Sequence, residues 1–370
     1  VSAGPQVTLV HERFTEFAGS EAVVEQMARE WPDAPIFAPI GRPGVLPPEL
    51  ERRLRTTGLS RLLRGSTYAH LLPALPVAMS RLSLPPSDVV IASHHAFATQ
   101  VVRATSAPVV AYVHSPARWV WDPSMRTGEA GGRLGEAALA AFSTAFRPVD
   151  RAAAARVHSM VANSRAVADR VSDWWGREAT VVHPPVDTEY YTPDAGVSRD
   201  DFFLIAGRLV PYKRPDLAVR AAQRAGVPLV VAGDGRARAE LEELAGPDTR
   251  FVGRVDDAEL RDLFRRCRAL LMPGTEDFGI VPVEAQACGA PVLAIDAGGA
   301  RDSVLPGVTG ELVPPAPLGG DEVDAWAHQL ASFDAAAYDS AVIRRHAESF
   351  SRASFRKAMA DVVTATIEAA

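Results

Sequence analysis

Lysine is almost missing from this chain of 370 residues: Lys213 and Lys357 are the only two, and arginine supplies the rest of the 39 basic side chains. A lysine placed in a loop, as Lys213 is expected to be, therefore stands apart. Cysteine is as scarce. Cys267 and Cys288 fall in predicted helices of the same half with no ligand spacing around them, which excludes a disulfide framework and fits two buried thiols in a reducing cytoplasm. No apolar run reaches the roughly 18 residues of a membrane span, and the first residues show neither the charged nor the apolar region of a signal peptide. The expectation is a cytoplasmic protein. No basic stripe is interleaved with aromatics, so nucleic acid is not an expected partner. The Gly233-x-Gly235 pair continues into Arg238 where a dinucleotide fingerprint needs a third glycine, which sets a nicotinamide dehydrogenase aside.

What is present is an ordinary apolar content, a mean hydropathy near zero and a net charge of -6, the marks of a globular chain of about two domains. The charge is uneven: up to Ser198 the chain has 19 basic and 19 acidic residues, and beyond it 20 and 26. Short apolar runs such as VTLV, DVVIAS, PVVAYVH, FFLIAGR, PLVVAGDG and ALLMP alternate with amphipathic helical stretches, the pattern of parallel sheets covered on both faces. The sequence turns polar and acidic near Asp194 to Asp200, where a linker is expected. The expected domains are 1–197, 198–345 and a final helix, 346–370.

The stretch Gly274 to Ala294, GTEDFGIVPVEAQACGAPVLA, organises the second half. After the strand ALLMP comes a loop, then a short helix with Pro282 in its first turn and Gly289 and Pro291 at its close. The loop Phe278-Gly279-Ile280-Val281 leaves backbone N–H groups aimed above the sheet, where the helix dipole favours an anion such as phosphate. Glu276 and Glu284 flank it, eight positions apart. A carboxylate beside an anion site needs some other partner, and sugar hydroxyls are neutral donors of the right kind. Earlier in the same half, Arg208 and Lys213 stand five residues apart on the loop LVPYKR, stiffened by Pro211 and Pro215, and can clamp a diphosphate as a planar fork and a point charge.

In the first half, Gly19 precedes a predicted helix beginning near Ser20 and permits close approach of a ligand. Two strands end in polar residues, Ser93-His94-His95 and His114-Ser115, and ligands gather at such carboxyl ends. Between Pro47 and Pro86 lies an arginine-rich segment with Arg52, Arg53, Arg55, Arg61, Arg64 and Arg81. It reads either as an amphipathic surface for anionic lipid or a charged acceptor, or as a solvated helical face. Near the end, GVTGELVPP reads as a tight hairpin.

The E-x7-E spacing around Phe278-Gly279, together with SMVANSRAVADRV and VVHPPVDTEYYTP, resembles retaining glycosyltransferase family 4, whose members have the GT-B fold. HSPARWVWD, His114 to Asp122, is similar to the matching run of bacterial mannosyltransferases that use GDP-mannose. The resemblance is strongest from Phe202 to Pro314 and weakest from Pro43 to Pro86; Ala18-Gly19-Ser20-Glu21 departs from the family's two glycines before a small residue and a glutamate.

It implies an α/β, GT-B architecture of two Rossmann-like, doubly wound domains facing a cleft. The first would hold the acceptor and the second the donor, and the last helix would cross back near Phe350 to Phe355. It implies His114 and Glu276 as catalytic residues. Donor binding would fall to Gly19, Arg208, Lys213, Arg254, Val255, Asp277, Phe278, Gly279, Ile280, Val281 and Glu284. No Asp-x-Asp occurs, so no metal or cofactor is expected. The implied partners are a nucleotide-diphosphate sugar, with GDP-mannose favoured over UDP-sugars, and an unidentified hydroxyl acceptor, with peripheral contact at the inner membrane face through 47–86 as a further expectation. The alternatives are a UDP-sugar transferase, a sugar-nucleotide epimerase and a silent sugar-nucleotide binder.

Overall fold

The computed structural model describes residues 4–65, 67–123, 132–315 and 320–370. It divides into two compact units, Val1–Pro185 with Phe355–Ala370, and Val186–Ser354. Among the described residues the first unit contains strands β1 (Val7–His11), β2 (Arg13–Phe14), β3 (Ile36–Ala38), β4 (Ile40–Gly41), β5 (Leu54–Thr56), β6 (Val89–His94), β7 (Val109–Val113), β8 (Ser159–Ala162) and β9 (Thr180–Val181). Seven of them form a parallel sheet in the order β5-β3-β1-β6-β7-β8-β9, and β2 pairs with β4 apart from it. The second unit has β10 (Phe203–Ala206), β11 (Leu229–Ala232), β12 (Thr249–Gly253), β13 (Ala269–Met272), β14 (Val292–Ile295) and β15 (Gly310–Val313), parallel in the order β12-β11-β10-β13-β14-β15. Both sheets are doubly wound, as the alternation of apolar runs and helical stretches implies.

Burial on both faces explains the near-continuous apolar strands. In the second unit Leu204, Leu270 and Val292 pack to one side with Val283, while Phe203, Ile205, Leu271 and Leu293 pack to the other with Leu217 and Trp326. In the first unit Val89 and Ile91 face one cluster and Val90 and Ala92 the opposite one. Successive residues of a strand point to opposite faces, so each must be apolar where helices cover both.

The division between units falls at Pro185–Val186, ahead of the acidic linker. Val186 accounts for it: its amide donates to the Phe350 carbonyl at 2.9 Å and its side chain joins the second unit's core with Tyr191. The return to the first unit comes at Ser354–Phe355, so 346–354 stay with the second unit, where Phe350 lies 5.6 Å from the Phe278 ring. Beyond that point Phe355, Met359 and Val363, at helical spacing on Arg352–Glu368, are buried in the first unit's core.

Two expectations are corrected. Among its described residues the segment 47–86 forms no single helical face: it is broken into the short helices Pro48–Glu51 and Leu75–Met79, β5, and the 3-10 turns Gly58–Leu62 and Ala69–Leu71. Pro73 and Pro76 interrupt helix in its later part, while earlier Leu54–Thr56 pairs with β3 as a strand and Arg53 turns inward to donate to the carbonyls of Ala28, Trp31 and Ala34 at 3.0, 2.8 and 2.9 Å. GVTGELVPP is a turn followed by an edge strand, because β15 finds its partner in the preceding parallel strand β14. Among the described residues no helix is long and apolar enough to cross a membrane.

Candidate active site

The second unit's loops converge at the carboxyl end of its sheet. The loop after β10 carries Arg208 and Lys213, and the loop after β13 carries Glu276 to Gly279. Gly274 is what lets them touch: a Cβ there would lie 2.4 Å from the Lys213 Cα, too close for any side chain. Lys213 Nζ consequently reaches Glu276 Oε1 at 3.0 Å, both side chains about one-fifth exposed. The loop after β14 braces the arrangement from the other side, with the Gly299 amide donating to the Glu276 carbonyl at 2.9 Å. Arg208 is exposed and has no partner among the described residues. It lines one recess with Lys213, Met272, Glu276, Val281 and Pro282.

The helix Ile280–Ala287 opens on this recess. Its N-cap is Gly279 at φ 86, and no side chain caps it. Among the described residues the amides of Gly279, Ile280 and Val281 meet no acceptor. Uncapped amides with the positive end of the helix dipole attract an anion. Phe278 is buried and fixes the loop from below, and Asp277 is half-buried beside it.

Glu284 lies within the same helix, half-buried. Burial pushes it up to about 7, with Asp257 and Asp187 adding to the rise and Arg352 opposing it. Arg352 is itself engaged by Asp187 at 2.8 Å. Arg254 follows β12, exposed and without a partner among the described residues, and Val255 packs in the cluster that also receives Ile280 and Val281. The structure thus groups Arg208, Lys213, Glu276 and Val281 around one recess, places Phe278, Gly279 and Ile280 at the helix start beside it, and sets Glu284 further along that helix.

Gly19 and His114 belong to the first unit. Gly19 begins the helix Gly19–Glu30, whose opening is held by Glu21: Oε2 accepts from the Ala18 amide at 3.0 Å and the Ser20 hydroxyl at 2.9 Å. His114, just beyond β7, is buried, and burial followed by the charge of His11 brings it down to about 3. Its Nε2 meets Ser93 Oγ at 2.8 Å. His95 stacks on its ring with centroids 4.4 Å apart.

Sequence reasoning missed His11, Glu12 and Asp150. The ends of β1 and β6 are in register, His11 opposite Ser93, so polar residues at neighbouring strand ends were the available signal. Glu12 Oε1 accepts amides from His95 at 2.8 Å, Phe97 at 2.6 Å and Ala98 at 3.1 Å, and that of Ala96. Burial works against this carboxylate, but His94, Arg13 and the amides outweigh it and lower its pKa. Asp150 accepts from the Trp121 and Trp175 indoles, each at 2.8 Å, yet burial pushes it up to about 7.

Residues 17–190 match the family model Glycosyltransferase Family 4, and 193–332 match Glycosyl transferases group 1. The structure of Anabaena HepE in complex with UDP superposes with a TM-score of 0.72 over 97% of this chain and 100% of that one, at 19% identity. The chain has the GT-B glycosyltransferase fold. Sucrose-phosphate synthase from Thermosynechococcus elongatus shares this GT-B architecture, with a TM-score of 0.73 over 99% of this chain and 100% of the other, at 18% identity. In sequence, the GT-B chain is 35% identical over 218 residues to the D-inositol 3-phosphate glycosyltransferase of Mycolicibacterium paratuberculosis, covering 50% of this chain and 48% of the relative. That of Kribbella flavida is 39% identical over 181 residues, 41% of this chain and 42% of the relative. The chain spans about half the length of the curated relatives it matches.

Proposed function

We propose that this chain transfers a hexosyl group from a nucleotide-diphosphate sugar to a hydroxyl acceptor, with retention of anomeric configuration and without a metal. The observation that carries the reading is the Lys213–Glu276 pair at 3.0 Å beside the uncapped amides of Gly279 to Val281. Cations and amides meet the charge on the departing phosphate; the adjoining carboxylate accepts from sugar hydroxyls. As the bond from the anomeric carbon to phosphate lengthens, Arg208, Lys213 and the helix start hold the leaving diphosphate, preorganised donors that replace a metal clamp. The acceptor hydroxyl enters on the same face and passes its proton to a phosphate oxygen. In this reading His114 supports the sugar, Glu284 the ribose, and the backbone near Arg254 and Val255 the base.

The GDP-mannose expectation rests on the resemblance of HSPARWVWD and EDFGIVPVE and finds no support in the comparisons. Structures of Anabaena HepE hold UDP, or UDP-glucose, which favours a uridine donor as the first to try. The relatives are D-inositol 3-phosphate glycosyltransferases, so that polyol phosphate is the first acceptor to try. Exposed Arg52, Arg55, Arg61 and Arg64 support 47–86 as a face for an anionic acceptor or lipid.

The test is binding followed by transfer. A donor at 100 times its Kd raises stability by about 2.7 kcal/mol, so a thermal-shift screen of UDP- and GDP-sugars should yield one clear riser, and Lys213→Ala should abolish the shift. With that donor, Lys213→Ala is expected to lose about 10²- to 10³-fold in transfer, the scale of removing one preorganised donor. Undiminished transfer in Lys213→Ala removes the proposal; isomerisation of the donor without acceptor converts it to an epimerase.

A further inference from the structure

In the first unit a chain of hydrogen bonds runs from Glu21 to His114. Glu21 Oε1 meets His11 Nε2 at 3.2 Å, His11 Nδ1 meets Ser93 Oγ at 3.0 Å, and Ser93 Oγ meets His114 Nε2 at 2.8 Å. All four side chains are buried: His11, Ser93, Glu21 and His114 expose 0, 1, 3 and 9%. Three of the four carry chemistry that the transfer reaction does not use directly. We propose that Glu21, His11 and Ser93 are positioning residues that fix the tautomer of His114, so that it presents a lone pair on Nδ1 to a hydroxyl of the bound ligand.

The polarity of the chain follows from counting protons. Glu21 Oε2 already accepts from the Ala18 amide and the Ser20 hydroxyl, at 3.0 and 2.9 Å, an arrangement that suits the ionised carboxylate. An ionised carboxylate only accepts, so the His11 Nε2 is the N–H. In the state proposed here His11 is neutral, so its Nδ1 is an acceptor and takes the single hydroxyl proton of Ser93. Ser93 Oγ is left to accept, and His114 Nε2 must donate to it. The proton of His114 is therefore spent inside the protein. Its Nδ1 has no partner among the described residues and carries only a lone pair. His95, stacked at 4.4 Å, and Tyr112, edge-on at 5.1 Å, hold the plane of the ring.

A lone pair there selects the ligand chemically. It accepts from a hydroxyl and repels a phosphate oxygen, which has no proton to give. A second proton on His11 reverses the chain: Ser93 would donate to His114 Nε2 and an Nδ1–H would face outward, suited to phosphate. The groups bearing on the chain's charge are Glu21, His94, His95 and Arg13. This inference rests on the sugar-binding reading of His114 for the identity of the hydroxyl, while the tautomer itself does not depend on any activity.

Protein labelled with ¹⁵N in histidine, read by long-range ¹H–¹⁵N spectra, tests it directly. The native His114 is expected as the Nε2–H tautomer, Ser93→Ala as a mixture of both, and Ser93→Thr, which restores a hydroxyl, as Nε2–H again. A native Nδ1–H spectrum overturns the proposal whether or not any variant folds. So does a Ser93→Ala spectrum unchanged from native. If no nucleotide sugar is ever transferred but the tautomer pattern stands, the function proposed above fails and the lock survives.

Discussion

At the scale of single residues, Lys213 and Glu276 present a competition. In the free protein the lysine already has a counter-ion, and an incoming diphosphate must displace it. A partly exposed pair of this kind is worth about 0.2–1 kcal/mol, so Glu276→Gln should tighten binding of free UDP or GDP by up to about fivefold. The same change should slow transfer, because the amide holds sugar hydroxyls less well than a carboxylate. Titration calorimetry against nucleotide and a transfer assay read the two effects separately; weaker nucleotide binding would refute the competition. Both residues were legible in the sequence, Glu276 through its spacing from Glu284 and Lys213 through the rarity of its type. Their direct contact was not. It depends on two loops remote in sequence meeting over Gly274, and no local pattern records a meeting of that kind.

At the scale of elements, the strand ends decide what is built. Parallel strands buried on both faces leave their polar residues only at the tips, so DVVIASHH and PVVAYVHS announced a site while saying nothing of who bonds to whom. The chain from Glu21 to His114 requires β1 and β6 to be neighbours, which is a fact of strand order rather than of either strand. Likewise the arginine-rich segment 47–86 reads as a helical face by its charges, whereas Leu54–Thr56 is taken up by strand pairing with β3, again a fact of strand order. Close loop packing gives a prediction at this scale. Gly274→Ala would drive a methyl group into the Lys213 backbone, and overpacking of this sort costs about 1–3 kcal/mol. The melting temperature should fall, and transfer should fall further than the lost stability explains, because Lys213 rides on the displaced loop. Normal kinetics in Gly274→Ala would show that the loop tolerates the shift.

For the whole molecule, pH sets a balance between buried carboxyls of opposite tendency. Glu284 and Asp150 are both pushed up to about 7, so they hold their protons in the folded state after the unfolded chain has released them. The stability they contribute is complete below the ordinary carboxylate range and is lost as pH rises through about 7. Glu21, brought down to about 2, works the other way: its contribution is present above the ordinary range and is lost as pH falls through about 2. Buried His94 and His114, brought down to about 4 and about 3, work against these two carboxyls below pH 6.5, so the carboxyls' share is read as a difference: the melting temperature of the native protein relative to Glu284→Gln with Asp150→Asn should decline between pH 5 and pH 7.5. A profile unchanged by the double substitution would mean that neither carboxyl retains its proton in the folded protein.

The two units also differ in how their chain is supplied. Residues 186–354 are contiguous, whereas the first unit draws on the opening 185 residues and on Phe355–Ala370. During synthesis, then, the later-made unit has all its parts before the earlier-made one does. The nascent first sheet waits with the apolar seat of Phe355, Met359 and Val363 uncovered until the ribosome has delivered them, and apolar surface left open in this way is prone to misassociate.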